Sequence, residues 1–467
     1  MPRLFGTNGI RGVINQEMTP ELALGIGKAL GTYLKKNKVQ PKLAIGTDAR
    51  LSNAMLATAV TSGLLSTGCT VVDLGLVPTP TLQYTVKEKK YDAGVIITAS
   101  HNPPEFNGIK GVSSTGAEFT QEIEQAIEQI YFQNHYTQAS WDMVGQYSTD
   151  AHAIDRYLKA ITTLVDVARI KKQKFRVVLD CGNGVGSLAA PALLKHLGCT
   201  VTSLNCNPDG RFPGRPSEPL PENLTCLIDT VMKENADVGV ALDGDADRAI
   251  FIDEQGKYIW GDKTLSLLGK HIVIRNQGGI VVTPVTTSTC FEDTIKAHHG
   301  QVIYTRVGSP VVASAMMHHH AVFGGEENGG LIFPSLHYCR DACMSIASLL
   351  ELLSQEKKPL SALIAQLPEY EMYKTKIPCP NLLKECVVQK LASHIQDMPD
   401  IVNVDQTDGI KIYTQQGWIL LRPSGTEPIF RIYAEAHQKD IAEKIAETYK
   451  KLVQEIINHL KNASNDA

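Results

Sequence analysis

One arrangement of residues recurs three times along the chain and restricts the fold more than any other feature. Lys42-Leu43-Ala44-Ile45-Gly46 has the apolar content of a strand; a polar turn and a helical stretch ending at Gly68 follow, and the chain resumes as Cys69-Thr70-Val71-Val72-Asp73. The second occurrence runs from Phe175-Arg176-Val177-Val178-Leu179-Asp180 through a helical stretch to Gly198, then Cys199-Thr200-Val201. The third runs from Gly279-Ile280-Val281-Val282 through a helical stretch to Gly300, then Gln301-Val302-Ile303. Strand, helix, glycine stop, strand is a βαβ unit, whose crossover helix lays its two strands parallel in one sheet. The glycine supplies the left-handed residue that ends the helix. The pattern predicts three similar α/β domains with mixed, mostly parallel sheets.

The last part of the chain differs. From about Pro368 it offers short strand candidates at 409–414 and 418–421, then a closing helix with Ile441, Ile445, Tyr449, Leu452, Ile456 and Leu460 at three- and four-residue spacing. This predicts a smaller α+β domain, with the polar tail 461–467 frayed. A length of 467 residues accommodates several domains.

Composition excludes several classes. An apolar fraction of 43% with 20% charged residues describes a soluble globular protein. A net charge of −4 argues against a nucleic-acid surface, and no apolar run approaches a membrane span or a signal-peptide core. The ten cysteines form no C-x-x-C, so reduced thiols in cytosol are expected rather than a zinc site or disulfide framework. The sequons at Asn223 and Asn462 are then chance matches.

Four loops carry chemistry. Thr98-Ala99-Ser100-His101-Asn102-Pro103-Pro104 follows the apolar run 93–97 and sits where ligands bind in open α/β sheets. Its prolines stiffen the backbone and prevent a helix. A serine held there is a nucleophile only with an adjacent base or a prior modification. Asp243-Gly244-Asp245-Ala246-Asp247-Arg248 lies between two apolar runs. Carboxylates about 4 Å apart repel by roughly 4 kcal/mol at an effective dielectric of about 20, and a bound Mg²⁺ or Ca²⁺ removes that cost. It is not an EF-hand, because Arg248 stands where that loop requires glycine and strands flank it. Phe323-Gly324-Gly325-Glu326-Glu327-Asn328-Gly329-Gly330 lets backbone approach a ligand, with Glu326 and Asn328 available for hydroxyl or amino groups. Arg422-Pro423-Ser424-Gly425-Thr426-Glu427-Pro428 combines a guanidinium fork, two hydroxyls and a glycine turn, which suits a phosphate; it lacks the G-K-[ST] of a nucleotide loop. Two further stretches are decoys. His318-His319-His320 points its rings in different directions, and Cys181-Gly182-Asn183-Gly184-Val185-Gly186 has the wrong spacing for a dinucleotide fingerprint.

Together and in this order, T-A-S-H-N-P, D-G-D-A-D-R, G-E-E-N-G-G and R-P-S-G-T-E-P resemble the α-D-phosphohexomutase family over essentially the whole chain. Within it the chain looks like phosphoglucosamine mutases and archaeal-type phosphomannomutase/phosphoglucomutases. The resemblance implies four domains around a central cleft: a phosphoserine-loop domain over 1–150, a metal-loop domain over 151–255, a sugar-loop domain over 256–367 and a phosphate-binding domain over 368–467. It implies that Ser100 is the phosphoserine and a metal ligand beside Asp243, Asp245 and Asp247, with Mg²⁺ as cofactor. Arg11 (in G-T-N-G-I-R-G) and Lys110 match basic residues near the reacting phosphoryl group, and His101 is a candidate general acid/base. Arg248, Arg306 and Gly308 join Glu326 and Asn328 in the substrate set; Arg422, Ser424, Gly425, Thr426 and Arg431 form the phosphate set. The implied reaction interconverts hexose 6-phosphate and hexose 1-phosphate through a hexose 1,6-bisphosphate, which also serves as activator. The expected partner is a small sugar phosphate, with neither nucleic acid nor membrane.

The preferred sugar is read from mixed signals. F-G-T-N-G-I-R-G and R-P-S-G-T-E-P look like phosphoglucosamine mutases; Asp209-Gly210-Arg211-Phe212-Pro213-Gly214 through Pro221-Glu222-Asn223-Leu224 looks more like mannose/glucose enzymes. The sugar loop departs from the bacterial G-E-M-S-G-H or G-E-Q-S-G-H by Asn328 for serine and Gly330 for histidine, which is expected to leave room and loosen discrimination. Glu326 could pair with a 2-ammonium group, so glucosamine phosphate is expected to be preferred. Rival readings explain less. A haloacid-dehalogenase-like phosphatase leaves Ser100 and the 422–428 loop without a role; a nicotinamide oxidoreductase depends on the imperfect 182–186 turn; a non-enzymatic cation module explains only the aspartates.

Overall fold

Each recurrent stretch folds as a parallel strand pair, and each is extended in the same way. The computed structural model describes residues 4–6, 8–395, 400–425 and 427–465. In the first sheet Lys42–Thr47 lies between Thr70–Leu76 and Ala93–Ile97, parallel to both, and Phe106–Ser113 pairs antiparallel with Ala93–Ile97. The second sheet repeats this order with Thr200–Leu204, Arg176–Asp180, Val238–Leu242 and antiparallel Ala249–Asp253. The third repeats it with Gly300–Thr305, Gly279–Pro284, Phe323–Gly325 and antiparallel Leu331–Ile332. The shared order is second, first, third, then a reversed fourth strand. In each sheet the turn from third to fourth strand carries one of the chemistry-bearing loops.

The first sheet gains Ile10–Val13 and Tyr147–Thr149 at its two edges. The short strand Tyr258–Ile259 pairs with Ala249–Asp253 and completes the second. The last segment forms an all-antiparallel five-stranded sheet in the order Glu371–Pro378, Ile429–Ala436, Gly417–Pro423, Ile410–Thr414, Ile401–Asp405. Helices Lys384–Ile395 and Lys439–Asn465 pack on it, and the closing helix continues through Asn465, beyond the point where the polar tail is expected to fray.

The second and third sheets share one core. Helix Ala342–Glu356 follows the third sheet in sequence but packs against helices Ala153–Thr163, Val167–Gln173 and Ala190–His196 of the second as well as Gly261–Arg275 of the third. It is buried on all faces, as its run of Ile346, Leu349, Leu350, Leu352 and Leu353 requires. The apolar cluster it joins runs continuously from Tyr157 to Leu367, whereas the first and last sheets keep cores of their own.

One expectation about helix ends is corrected. Gly68 and Gly198 take left-handed backbone, with φ of +88° and +77°. In the third unit that role falls to His299, at φ 64°, and Gly300 already begins the strand. Gly300 is kept small by packing: a Cβ there would lie 2.6 Å from Ile295 Cγ2. Two substitutions should therefore have opposite signs. Gly198→Ala forces alanine into left-handed backbone and against Lys171, costing about 1–2 kcal/mol or more. His299→Gly relieves that strain but frees the unfolded chain, for a net gain of about 0.5 kcal/mol. Denaturant unfolding midpoints read both, and like signs would contradict the assignment.

Candidate active site

The serine loop is held by its backbone. Ser100 stands at φ 51°, a left-handed conformation that a non-glycine residue adopts only where its surroundings impose it. Arg50 imposes it: its buried guanidinium donates to the carbonyls of Ser100 (3.0 Å), Asn102 (2.5 Å), Pro103 (2.6 Å) and Phe106 (2.7 Å). Arg50 is itself paired with Asp48, which also accepts from Thr98 Oγ1 and Asn53 Nδ2. From the second domain Ser217 Oγ donates to the carbonyl of His101. The hydroxyl so placed is 1% exposed with its residue and donates to Asp243 Oδ2 at 2.9 Å. His101 Nδ1 lies 3.3 Å from the same oxygen. Burial first, then the charge of Arg248, lowers His101 to about 3, so the ring is neutral at pH 7; a phosphate on Ser100 would oppose that shift.

The three aspartates meet as the spacing suggested. Asp243, Asp245 and Asp247 are all buried, and each offers an oxygen within 4.8 Å of the others; among the described residues this is the one such cluster. Lys110 Nζ reaches Asp245 Oδ2 at 2.9 Å, Thr79 Oγ1 donates to the same oxygen, and Arg248 Nε donates to Asp243 Oδ2 at 3.0 Å. Asp245 Oδ1 and Asp247 Oδ1 are buried without any hydrogen-bond partner. Three buried carboxylates whose oxygens come this close, two of them with an oxygen that makes no hydrogen bond, are a fit for a hard divalent cation with oxygen ligands, Mg²⁺ among them. The charge crowding is visible in the acidities. Burial and then Asp247 push Asp243 well above the usual carboxylate range. Burial also works against Asp245, but Lys110 overcomes it and holds Asp245 low.

The glycine-rich turn 182–186 serves this loop. A Cβ on Gly184 would fall 2.7 Å from the carbonyl of Gly244, and one on Gly182 would strike the guanidinium of Arg215. Arg215 in turn donates to Asp180 and to the carbonyl of Leu242, where the aspartate loop begins. The turn is small so that the aspartate loop can lie against it.

The remaining predicted residues fall into two groups. Arg11 Nη1 donates to Asn102 Oδ1 (2.7 Å) and to the carbonyl of Ala99 (3.3 Å); these are neutral oxygens, which leaves its charge available to an anion at Ser100. Glu326 is buried, takes Gly308 N–H on Oε1 at 3.2 Å and Arg340 Nη1 on Oε2 at 2.8 Å, and burial raises it above the ordinary carboxylate range. Asn328 is exposed, its Oδ1 closing the loop onto Gly330 N–H. Arg248 is committed to Asp243 and, through both terminal nitrogens at 2.9 Å, to Glu218. Arg306 is exposed, and its side chain makes no hydrogen bond or ion pair among the described residues.

In the last domain Arg422 and Arg431 stand directly opposite each other across two strands. Like charges so placed repel; Asp408 neutralises Arg422 at 2.6 Å and Glu427 neutralises Arg431 at 2.9 Å. Ser424 is buried, with Oγ accepting Glu427 N–H, and Gly425 is exposed. Thr426 lies outside the described residues. Lys384 braces the turn through the carbonyls of Ser424 and Glu427. Asp408 also accepts Val307 N–H from the third domain, next to Gly308.

Sequence reasoning missed Asp48, Arg50, Glu218, Arg340, Lys384 and Asp408. Asp48 and Arg50 had a signal: they lie just beyond the carboxyl end of Lys42–Thr47, beside the serine loop, where ligands and their supports gather. Arg340 had none, since its partners are 93 and 14 residues away. It also overturns the expectation of a roomier sugar loop. A Cβ on Gly330 would lie 2.3 Å from Arg340 Cδ, so the arginine fills the space that a histidine at 330 would need.

Comparisons with known proteins agree along the whole chain. Descriptions of phosphoglucomutase/phosphomannomutase match in order: alpha/beta/alpha domain I over residues 2–138, domain II over 155–256, domain III over 260–370 and the C-terminal domain over 375–452. The chain is 44% identical, over 98% of its length and all of the relative's, to the phosphoglucomutase/phosphomannomutase of Thermococcus kodakarensis. It is 40% identical, over 97% of its length and all of the relative's, to the phosphoglucosamine/phosphogalactosamine mutase of Sulfurisphaera tokodaii. A crystal structure of a phosphoglucomutase/phosphomannomutase family protein from Burkholderia thailandensis superposes with a TM-score of 0.88 at 27% identity, covering 97% of each chain. Four family domains in order, with relatives of this identity over the full length, make the chain a member of the phosphoglucomutase/phosphomannomutase family of phosphohexomutases, enzymes of intramolecular phosphoryl transfer.

Proposed function

We propose that the protein interconverts hexose 6-phosphate and hexose 1-phosphate through a phosphate carried on Ser100, with glucosamine phosphate as the preferred sugar and mannose and glucose phosphates as the alternatives. The observation that carries the reading is the Ser100 hydroxyl bonded to Asp243 inside the aspartate cluster, with Lys110 and Arg11 beside it. Phosphorylated Ser100 gives its phosphoryl group to a sugar hydroxyl: the Oγ–P bond breaks, the sugar O–P bond forms, and the hydroxyl proton passes to a base, for which His101 is the candidate. A bound Mg²⁺ would supply charge stabilisation for that transfer, held by Asp243, Asp245, Asp247 and a Ser100 oxygen. Arg11 and Lys110 balance the charge of the moving group, and Glu326 with Asn328 grips the ring. Arg422, Arg431, Ser424 and the adjacent turn hold the phosphate that does not react. The resulting 1,6-bisphosphate turns over and returns its other phosphate to Ser100, so added bisphosphate rearms a dephosphorylated enzyme.

The choice of sugar rests on Glu326 and on the relatives. A buried carboxylate can accept a charge-assisted hydrogen bond from a 2-ammonium group, worth about 1.5–3 kcal/mol against about 1 for a hydroxyl. The Sulfurisphaera relative is named for amino sugars and the Thermococcus relative for glucose and mannose. Side-by-side kcat/KM values on the 1-phosphates of glucosamine, glucose and mannose test the assignment. Glucosamine phosphate is expected first by about 2- to 30-fold, from the difference in those energies, and ranking it last overturns the preference.

Two measurements test the chemistry. Asp245→Ala, or exhaustive chelation, is expected to lower kcat by about 10³-fold or more, the equivalent of several kcal/mol of lost charge stabilisation. Phosphate label on the enzyme is expected to survive hydroxylamine and to be absent from Ser100→Ala. Label released by hydroxylamine would instead mark an aspartyl phosphate on Asp243.

A further inference from the structure

Arg340 belongs to no motif, yet it joins the aspartate loop to the sugar loop. It stands just before Asp341, which caps helix Ala342–Glu356. Its side chain is 9% exposed, and its two terminal nitrogens diverge: Nη2 donates to Asp247 Oδ2 at 2.5 Å and Nη1 to Glu326 Oε2 at 2.8 Å. The stem passes over Gly330, where any side chain would obstruct it. Each carboxylate keeps its other oxygen for a different task. Asp247 Oδ1 makes no hydrogen bond and has Arg248 Nε 3.7 Å away, while Glu326 Oε1 takes the N–H of Gly308. A planar guanidinium gripping two carboxylates sets the direction of both, which an ammonium cannot do.

We propose that Arg340 is a positioning residue that aims Asp247 Oδ1 at the cation and Glu326 at the sugar, so that a change at either carboxylate is felt at the other. The inference rests on the cation reading of the aspartate loop given above. The full-length protein is tested with Mn²⁺, its affinity read by electron paramagnetic resonance, with Ser100 phosphorylation equalised across samples by mass spectrometry. Arg340→Met is expected to weaken Mn²⁺ binding by about tenfold to a hundredfold, as loss of a partner behind a metal ligand does. Arg340→Lys keeps the charge without the fork and is expected to recover only part of that loss. With Arg340 present, Glu326→Gln is expected to weaken Mn²⁺ binding, because a guanidinium no longer anchored by a charged Glu326 ceases to fix the direction of Asp247; in Arg340→Met the same substitution is expected to have little effect. Wild-type affinity in folded Arg340→Met, full recovery in Arg340→Lys, or an equal effect of Glu326→Gln in both backgrounds overturns the inference. Absence of Mn²⁺ binding by the wild-type protein overturns the cation reading itself. Should Arg340→Met fail to fold, Arg340→Lys with and without Glu326→Gln makes the same comparison.

Discussion

The structure depends on compensating buried negative charge. Asp243, Asp245, Asp247, Glu218 and Glu326 meet in a region where Lys110, Arg248 and Arg340 are their direct cationic partners. An unpaired buried ion costs several kcal/mol, so the carboxylates tolerate burial only where cations reach them. Those cations come from separate parts of the chain: Lys110 from the first sheet, Arg248 from the aspartate loop, Arg340 from the start of the shared helix. Carboxylates outnumber their directly paired cations there, so the region keeps an excess of negative charge that a bound cation would relieve. That excess shows in the raised pKa of Asp243, which burial and its neighbours press toward the protonated form. A phosphate on Ser100 would enlarge the excess, with Arg11 the nearest guanidinium not already paired to a carboxylate.

Topology explains how one small volume collects groups from so many segments. In all three α/β sheets the third strand runs parallel to the first and the fourth returns antiparallel, so the turn between them opens at the carboxyl ends of the parallel strands. Ligands gather there in open α/β sheets because no crossover covers that edge. The repeated unit supplies three equivalent turns, and sequence divergence within them places a serine hydroxyl, three aspartates and a buried glutamate at corresponding positions. The last domain contributes by a different route. Its hairpin 424–428 joins antiparallel strands, and its Asp408 docks on Val307 beside the third turn.

What could be read from the sequence follows from range. Apolar runs and the residues in one loop are local, so the strands 42–46, 238–242 and 418–421 and the clusters around Ser100, Asp245 and Ser424 were legible. The supports were less so: the position of Arg50 beyond a strand end is a signal but its carbonyl partners are not, and Arg340 works through partners in two other loops. Glycine misled twice for one reason: composition does not separate a glycine needed for its backbone from one needed for its smallness. Gly300 was read as a helix stop and is a packing contact; Gly330 was read as open space and is the path of a guanidinium.

The contacts also form a continuous line between the two phosphate positions of the proposed reaction. Ser100 bonds to Asp243; Asp247, on the same turn, bonds to Arg340, and Arg340 to Glu326. Glu326 holds Gly308, whose neighbour Val307 bonds to Asp408, and Asp408 holds Arg422. An anion arriving at Arg422 would compete with Asp408 for the guanidinium and so act on the contact that docks the last domain on the third. Each pole sets guanidinium or ammonium groups against carboxylates, and Glu326 lies between the two. In the proposed reaction, a sugar with phosphate at either end would meet that arrangement in both orientations, since charge alone does not distinguish O1 from O6. Under the proposed function, selectivity for the sugar would then fall to the middle of the line, to Glu326 and the arginine paired with it.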